Sequence, residues 1–319
     1  MSNTFSTSRL SRLASEAGFH ACGVARADAV DEQASASFRR WIEEGHNAGM
    51  GYMAANADKR LNPVMLLDGA KSVIVCALNY YPRTLLDSDQ LQFAYYAYGQ
   101  DYHDVIRAKL TILAEALGLY DVRARDGGDG GGYRALICCD TVPVLERYWA
   151  WKSGVGWIGK NTNLIIPGCG SFFFLGLIIT ELEFSDYGVP QKERCGRCEK
   201  CVEACPTGAL YAPYTLDANK CLSYLTVENR GEIPGKYAGA LDKCIYGCDR
   251  CQNACPHNRK AVATDVEELE PSEEFMSMSE ESWDNLTEDD FRRLFKRSAV
   301  KRAKFEGLKR NVETIKQKK

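Results

Sequence analysis

The chain has 319 residues, of which 45% are hydrophobic and 26% charged, and its formal net charge is −3 at pH 7. These proportions are ordinary for globular proteins, so they exclude a disordered or fibrous chain. The length exceeds that of one minimal domain and suggests at least two.

Residues 1–185 alternate between helical and strand patterns, which predicts one α/β or α+β domain, and we take α+β as the fold class. Four segments carry apolar residues at helical spacing, and short apolar runs between them predict strands. In chain order, the expected elements are a helix at 10–17, a strand at 20–25, a helix around 38–42, a strand at 72–80, a helix at 105–117, a strand at 133–139, a helix after Pro143, and strands at 164–166 and 171–180.

The apolar stretch 164–182 is about long enough to cross a bilayer. It contains Pro167 and three glycines, and it is rich in β-branched and aromatic residues, which favours two buried strands around a turn. The N-terminal segment has no continuous apolar core and no small-residue cleavage site, so no secretory signal is predicted. We therefore expect a cytoplasmic protein without a membrane span, in which clustered cysteines bind metal or act in catalysis.

Residues 263–319 form a tail that divides sharply by charge. Residues 265–290 contain twelve acidic and no basic residues, whereas residues 292–319 contain twelve basic and two acidic residues. The simpler interpretation is an acidic linker followed by a solvated basic helix. The alternative is that the tail contacts a phosphate backbone, because neutralising phosphates needs no sequence motif.

Nine of the 14 cysteines lie between Cys195 and Cys255. Residues 195–206 have the pattern Cys-x2-Cys-x2-Cys-x3-Cys-Pro, and residues 248–256 have Cys-x2-Cys-x3-Cys-Pro. Three thiolates at this spacing can hold one cubane, while the cysteine before proline ligates the other cluster. The pattern predicts two 4Fe–4S clusters in a ferredoxin-like domain at 186–262, rather than the zinc that Cys-x2-Cys pairs also bind. The first cluster would take Cys195, Cys198, Cys201 and Cys255, and the second would take Cys205, Cys248, Cys251 and either Cys221 or Cys244.

Two clusters need an electron acceptor, which we expect in the N-terminal domain. No Gly-x-Gly-x-x-Gly follows a strand there, so a nicotinamide site is not indicated. The run 126–132 (DGGDGGG) lacks the Lys-Ser/Thr of a phosphate loop and predicts a flexible connection. Residues 101–104 (DYHD) match the start of a motif by which some cobalamin proteins ligate cobalt, but Ile106 replaces its glycine. We therefore predict no histidine ligand, and expect His103 in the first turn of a solvated helix.

Asp140 lies where the strand at 133–139 turns toward the helix after Pro143. Either Asp140 or Thr141 could cap that helix. Alternatively, Asp140 faces a cofactor, and burial raises the pKa of its carboxyl so that it acts as a general acid near neutral pH.

Four longer segments carry a resemblance that goes beyond single motifs. They are 139–165 (CDTVPVLERYWAWKSGVGWIGKNTNLI), 195–210 (CGRCEKCVEACPTGAL), 221–226 (CLSYLT) and 246–256 (YGCDRCQNACP). Together with 58–63 (DKRLNP) and 99–106 (GQDYHDVI), they resemble epoxyqueuosine reductases, the cobalamin- and iron–sulfur-dependent enzymes of the last step in queuosine synthesis on tRNA.

This resemblance implies a nitroreductase-like cobalamin-binding domain followed by the ferredoxin-like two-cluster domain. It implies that Cys221 is the eighth cluster ligand and that Asp140 is the catalytic general acid. It also implies that no protein side chain lies beneath the cobalt. The residues that it places near the corrin are Arg60, Asp140, Leu164, Leu175, Ser223, Cys248 and Asp249.

The implied reaction reduces epoxyqueuosine to queuosine at the wobble position of tRNA, with electrons passed from a ferredoxin or flavodoxin through the clusters to cobalamin. Asp140 would protonate the departing oxygen, and Tyr102 and His103 would relay protons. The alternatives are a corrinoid iron–sulfur reductase similar to reductive dehalogenases, and an electron-transfer module. Cys244 stands where the family often has arginine, so an exchange of ligands with Cys221 stays open.

Overall fold

The structure is a computed structural model that describes residues 5–124 and 132–317. Most of the glycine-rich run 126–132, for which a flexible connection is predicted, lies outside the described residues.

The strands carry the residues for which the sequence predicts buried apolar runs. In chain order they are β1 (Ala21–Arg26), β2 (Ser72–Asn79), β3 (Gln92–Phe93), β4 (Leu119–Asp121), β5 (Tyr133–Cys138), β6 (Trp157–Ile158), β7 (Leu164–Ile165), β8 (Phe173–Thr180) and β9 (Cys244–Tyr246). The main sheet has the order β1-β2-β8-β5-β4, in which only β4 and β5 are parallel neighbours. Short pairs β3–β9 and β6–β7 lie outside it.

The helices are mostly short after residue 186. In chain order they are α1 (Thr7–Glu16), α2 (Glu32–Glu43), α3 (Gly51–Ala54), α4 (Ala57–Leu61), α5 (Tyr102–Ala116), α6 (Glu146–Lys152), α7 (Lys200–Glu203), α8 (Leu222–Val227), α9 (Gly235–Leu241), α10 (Arg250–Asn253), α11 (Glu273–Met276), α12 (Glu280–Asp284), α13 (Glu288–Leu294) and α14 (Lys304–Lys316), with 3₁₀ turns at Pro63–Met65, Tyr95–Ala97, Pro256–Lys260, Glu267–Leu269 and Ala299–Ala303.

Strand β2 lies between β1 and β8 and is buried on both faces, which explains its nearly continuous apolar sequence. Ile74 packs on one side with residues of α1 and α5, and Val75 packs on the other with Trp149 of α6. A side chain at Gly176 of β8 would lie 2.5 Å from Ile106 of α5, so glycine lets that helix approach closely. The result is a mixed α+β layer structure, as the sequence predicts.

The stretch 164–182 forms β7 and β8, which confirms the prediction of two strands around a turn. In residues 5–124 and 132–317, no helix is both long and apolar enough to cross a membrane.

The C-terminal segment differs from the expected linker and solvated helix. Phe275 and Trp283 of its acidic half are buried in one cluster with Leu308 of its basic half and Tyr246 of β9. The position of many of the acidic residues is explained by the helices themselves. They lie in the first turns of α11, α12 and α13, where a carboxylate interacts favourably with the helix dipole. Arg293 pairs with Glu274, and Lys316 pairs with Asp284, so the two halves also neutralise each other.

Asn311 joins this segment to the cysteine-rich region. Its side-chain amide is fully buried and donates to the carbonyls of Thr226 and Ile245, at 2.8 Å each. Asn311→Ala would leave both carbonyls unpaired, and each costs roughly 1–3 kcal/mol when buried. We expect the free energy of unfolding to fall by about 2–4 kcal/mol in chemical denaturation. The exposed Asn285→Ala is the matched control, and an Asn311 variant as stable as this control would contradict the argument.

Candidate active site and cysteine clusters

The eight predicted cluster ligands fall into two groups in space. The first group lines a small cavity beside Trp157 and Ile165 and consists of Cys195, Cys198, Cys201 and Cys255. The second group lines a larger cavity and consists of Cys205, Cys221, Cys248 and Cys251. Helices α7 and α10 pack against each other, and the cysteine that follows each helix joins the group of the other. This is the crossover that the Cys-Pro spacing predicts.

Cys244 does not belong to either lining. It is buried in β9, and its thiol donates to the carbonyl of Gly247 at 2.8 Å. The geometry therefore favours Cys221 as the fourth member of the second group. In the described parts of the chain, no three Cys, His, Asp or Glu side chains are close enough to hold a single metal ion.

The larger cavity has a volume of about 410 Å³ and lies between the main sheet and the cysteine-rich region. Its apolar wall includes Leu164, Phe173, Leu175 and Leu210. Six of the seven residues expected near a corrin line it, namely Asp140, Leu164, Leu175, Ser223, Cys248 and Asp249. Arg60 is the exception. It is buried nearby, and its guanidinium donates to the carbonyl of Tyr52 at 3.2 Å.

Asp140 occupies the corner between β5 and α6 in a left-handed conformation, with φ at +56°. Its backbone N–H donates to the Glu146 carboxylate at 2.7 Å, which holds the corner in place. Helix α6 begins after Leu145 and has no side-chain cap. The capping interpretation of Asp140 and Thr141 is therefore wrong, because the helix begins too late for either to reach its free N–H groups.

The Asp140 carboxylate is the end of a hydrogen-bonded network from the start of α5. Tyr102 donates its hydroxyl to Asp140 Oδ2 at 2.7 Å, and His103 Nε2 lies 3.4 Å from the same oxygen. His103 Nδ1 lies 2.7 Å from Asp101 Oδ1, so the imidazole is placed between two carboxylates. Tyr102 also stacks on Phe174, with ring centroids 4.3 Å apart. His103 is in the first turn of its helix as predicted, but its side chain faces this network rather than solvent.

This arrangement moves three pKa values away from their usual ranges. The hydrogen bond with His103 lowers the pKa of Asp140 and outweighs the effect of burial. Burial alone would lower the pKa of His103, but its bonds to Asp101 and Asp140 raise it to about 9. Burial and the charge of Asp140 raise the pKa of Glu146 to about 8. At neutral pH, Asp140 is ionised while His103 and Glu146 are protonated.

The expectation that burial raises the pKa of Asp140 is therefore wrong. Burial does act on this carboxyl, but the hydrogen bond with His103 has the larger effect on its pKa. Sequence reasoning also missed Asp101 and Glu146. Their signals were present, since Asp101 lies two residues before His103, and Glu146 belongs to the Asp-Thr-x-Pro-x-x-Glu-Arg segment.

A carboxylate–histidine–tyrosine network and four thiols facing one cavity, beside a second group of four thiols, define an iron–sulfur oxidoreductase. The comparisons with known proteins agree. Residues 194–258 match the family described as "4Fe-4S double cluster binding domain", and residues 60–141 match the family described as "Epoxyqueuosine reductase QueG, DUF1730". The chain is 43% identical to the epoxyqueuosine reductase of Leadbetterella byssophila over 95% of this chain and 96% of that protein. The chain belongs to the epoxyqueuosine reductase family.

Solved structures of this family share the fold. A crystal structure of epoxyqueuosine reductase with an epoxyqueuosine-modified tRNA-Tyr stem loop matches with a TM-score of 0.85 and 28% identity, over 97% of this chain and 80% of that chain. The Bacillus subtilis enzyme, described with its catalytic aspartate loop swung out of the active site, matches with a TM-score of 0.83 and 27% identity, over 97% and 80% of the two chains.

Proposed function

We propose that this protein reduces epoxyqueuosine to queuosine in tRNA. The reaction takes up two electrons and two protons, opens the epoxide, forms an alkene and releases the oxygen as water. The observation that carries the proposal is the cavity itself, because it brings the Asp140 network and four thiols to one space in a chain of this family. The relative with a bound epoxyqueuosine-modified stem loop supports tRNA as the substrate.

The iron–sulfur clusters fit the residues present. The first group of thiols would hold one 4Fe–4S cluster, with Cys201 and Cys255 buried and Trp157 excluding water on one side. The second group would hold the other cluster in the wall of the large cavity. Electrons could then reach the cavity without crossing solvent.

Cobalamin also fits the large cavity. Asn161 Nδ2 in the lining and Arg60 Nε near Tyr52 are buried polar atoms with no hydrogen-bond partner among residues 5–124 and 132–317. Both suit the amides of a large polar cofactor. Leu164 and Leu175 would pack against the corrin, with Ser223, Cys248 and Asp249 at its edge. When bound, the clusters and cobalamin supply the electron transfer and low-valent metal chemistry that open the epoxide.

The protein residues handle the proton. We assign Asp140 as the group that passes a proton to the departing oxygen, and His103 as the source from which the ionised Asp140 is resupplied. Asp101 holds the imidazole in its doubly hydrogen-bonded form, and Tyr102 donates to the same Asp140 oxygen that His103 approaches. The Bacillus subtilis relative is described as having a catalytic aspartate loop, which supports the assignment of Asp140.

The rate of queuosine formation should fall as the pH rises through about 9. The pKa of His103 is raised to about 9, so its proton is present below this pH and is lost above it. Single-turnover rates with a chemical reductant would measure this profile, since they bypass the electron donor. His103→Gln should lower the rate at neutral pH and remove the loss near pH 9. A loss near pH 8 that persists in the variant would contradict the assignment and point to Glu146 as the acid.

Four further features belong to the same proposal. A ferredoxin or flavodoxin would supply the electrons, and the protein would act in the cytoplasm. A nitroreductase-like domain at 1–185 would bind cobalamin, and a ferredoxin-like domain at 186–262 would bind the clusters. Residues 263–317 are better described as a helical segment that packs on both domains, because Phe275 and Leu308 share a cluster with Tyr98 and Tyr246.

The direct test is anaerobic turnover. The protein carrying its clusters and cobalamin is given a strong reductant and tRNA that contains epoxyqueuosine, and the digested nucleosides are analysed by mass spectrometry. We expect a product that has lost one oxygen atom. An unchanged nucleoside with cobalamin bound would overturn the substrate and leave the fold assignment intact.

A further inference from the structure

Residues 296–304, called here the basic turn, lie between α13 and the first residue of α14 and contact the start of α5, which carries the Asp140 network. At one end, the carbonyl of Arg297 accepts a hydrogen bond from the backbone N–H of Asp101 at 2.6 Å. The side chain of Asp101 is the partner of His103. At the other end, Arg302 forms two hydrogen bonds with Glu228, at 2.7 and 2.8 Å. Between them, the hydroxyl of Tyr246 donates to the carbonyl of Ala299 at 2.8 Å. The turn is therefore fixed next to the active site.

Three lysines of the basic turn supply positive charge at the surface, and that of Lys301 is close enough to Asp101 to lower the pKa of its carboxyl. Lys296, Lys301 and Lys304 are exposed and line one groove of about 490 Å³. In the described residues, none of the three forms a salt bridge. The arginines around them differ, because Arg292 and Arg302 are paired with carboxylates. Glu288 and Glu306 also line the groove, where Glu288 is neutralised by Arg292.

Tyr52 of α3 adds an aromatic surface at the end of the basic turn. It is 48% exposed, and the guanidinium of Arg302 lies over its ring at 5.7 Å from the centroid. Its backbone carbonyl accepts from Arg60, and its pKa is raised by burial and by the charges of Glu228 and Asp140. Tyr52 thus lies between the basic turn and the Asp140 corner, with a ring that is open to solvent.

We infer that the lysines of the basic turn and the Tyr52–Arg302 pair form the surface that holds the substrate RNA loop beside the cavity. The lysines would contact backbone phosphates, and Tyr52 would stack on a base next to the one that enters the cavity. Proteins bind splayed RNA loops through this combination of cations and exposed aromatic rings. The inference rests on the proposed function and adds the contact residues to it. An acidic protein partner is less well matched, because the surface adjoins Asp140 and its network rather than the first group of cysteines.

The test measures binding of a fluorescently labelled anticodon stem–loop RNA that carries unmodified guanine at the wobble position, over a series of salt concentrations. Lys301→Gln/Lys304→Gln should bind more weakly than wild type, and the slope of log K against log salt should fall by about 1.5, since each lost phosphate contact contributes roughly 0.7–0.9. The matched control is Arg26→Gln/Lys71→Gln. It removes the same formal charge at the opposite end of the sheet from Asp140, where both residues are exposed and, unlike the lysines of the basic turn, pair with Glu183.

Tyr52 is tested with the same RNA. Tyr52→Ala should weaken binding by at least about fivefold without changing the salt slope, because stacking involves no counterion release. Tyr52→Phe keeps the ring and should bind like wild type.

The outcomes separate this inference from the proposed function. If the wild-type protein binds neither this stem–loop nor the same stem–loop carrying epoxyqueuosine, the tRNA substrate itself is overturned. If wild type binds and the lysine variant matches the Arg26/Lys71 control, the surface is overturned while the function stands. If the lysine variant binds RNA normally but loses turnover only with a protein electron donor, the surface belongs to that donor and the inference is wrong.

Discussion

Asp140→Asn should lower the rate of queuosine formation by at least about 100-fold, the lower end of what a positioned proton donor contributes. The amide keeps the size of the carboxyl but can neither receive the proton of His103 nor pass it to the departing oxygen. Asparagine is also the best substitute for the backbone, because it tolerates the left-handed conformation at φ +56° that alanine would find strained. Any loss of rate then reports the carboxylate rather than a displaced corner.

Single-turnover formation of queuosine from epoxyqueuosine-containing tRNA is the measurement, with a chemical reductant. Thr141→Ala is the matched control, since Thr141 is exposed, lies in the same corner and contributes only a backbone hydrogen bond. Iron content and cobalamin binding should match wild type in both variants. An Asp140→Asn protein that reacts at the rate of Thr141→Ala would remove Asp140 from the mechanism.

The parts of this molecule that the sequence predicts correctly are those governed by local pattern. The strand at 72–80 is a nearly continuous apolar run because both faces of β2 are covered, and the run alone contains that information. The spacing of the cysteines likewise predicts two groups that exchange their last member. Cys205 and Cys255 each lie two residues beyond a short helix, and each thiol reaches the adjacent group rather than its own.

The parts that the sequence does not predict depend on contacts between distant segments. The acidic composition of 265–290 is typical of a solvated linker, yet Phe275 and Trp283 meet Tyr246 and Leu308 in one core. Spacing within the segment does not reveal that partner. The direction in which the pKa of Asp140 shifts is equally hard to predict, because it depends on His103. That residue is 37 positions away in sequence and 3.4 Å away in space. Burial alone suggests the opposite direction.

Cys221 and Cys244 illustrate this limit in the iron–sulfur region, where spacing from the Cys-x2-Cys pairs does not distinguish them. Cys221 precedes α8, and the backbone there turns its thiol toward Cys205, Cys248 and Cys251 in the cavity wall. Cys244 lies in β9, where its thiol donates to the Gly247 carbonyl and contacts the Cys248 thiol without lining the cavity. The two thiols therefore differ in direction rather than in distance along the chain.

Cys221→Ala should consequently lower the iron content from about eight to about four atoms per chain, because one of two 4Fe–4S clusters loses a ligand. It should also abolish turnover, since electrons no longer reach the cavity. Cys244→Ala is the matched control and should retain about eight iron atoms per chain and its activity. Iron analysis and electron paramagnetic resonance of the anaerobically purified proteins would measure both.

If Cys244 moved in to replace the missing ligand, Cys221→Ala alone would keep its iron and the double variant would lose it. If Cys244→Ala lost iron while Cys221→Ala kept all of its iron, the geometry would be contradicted. Cys244 would then be a cluster ligand, although its thiol is bonded to Gly247 and does not line the cavity.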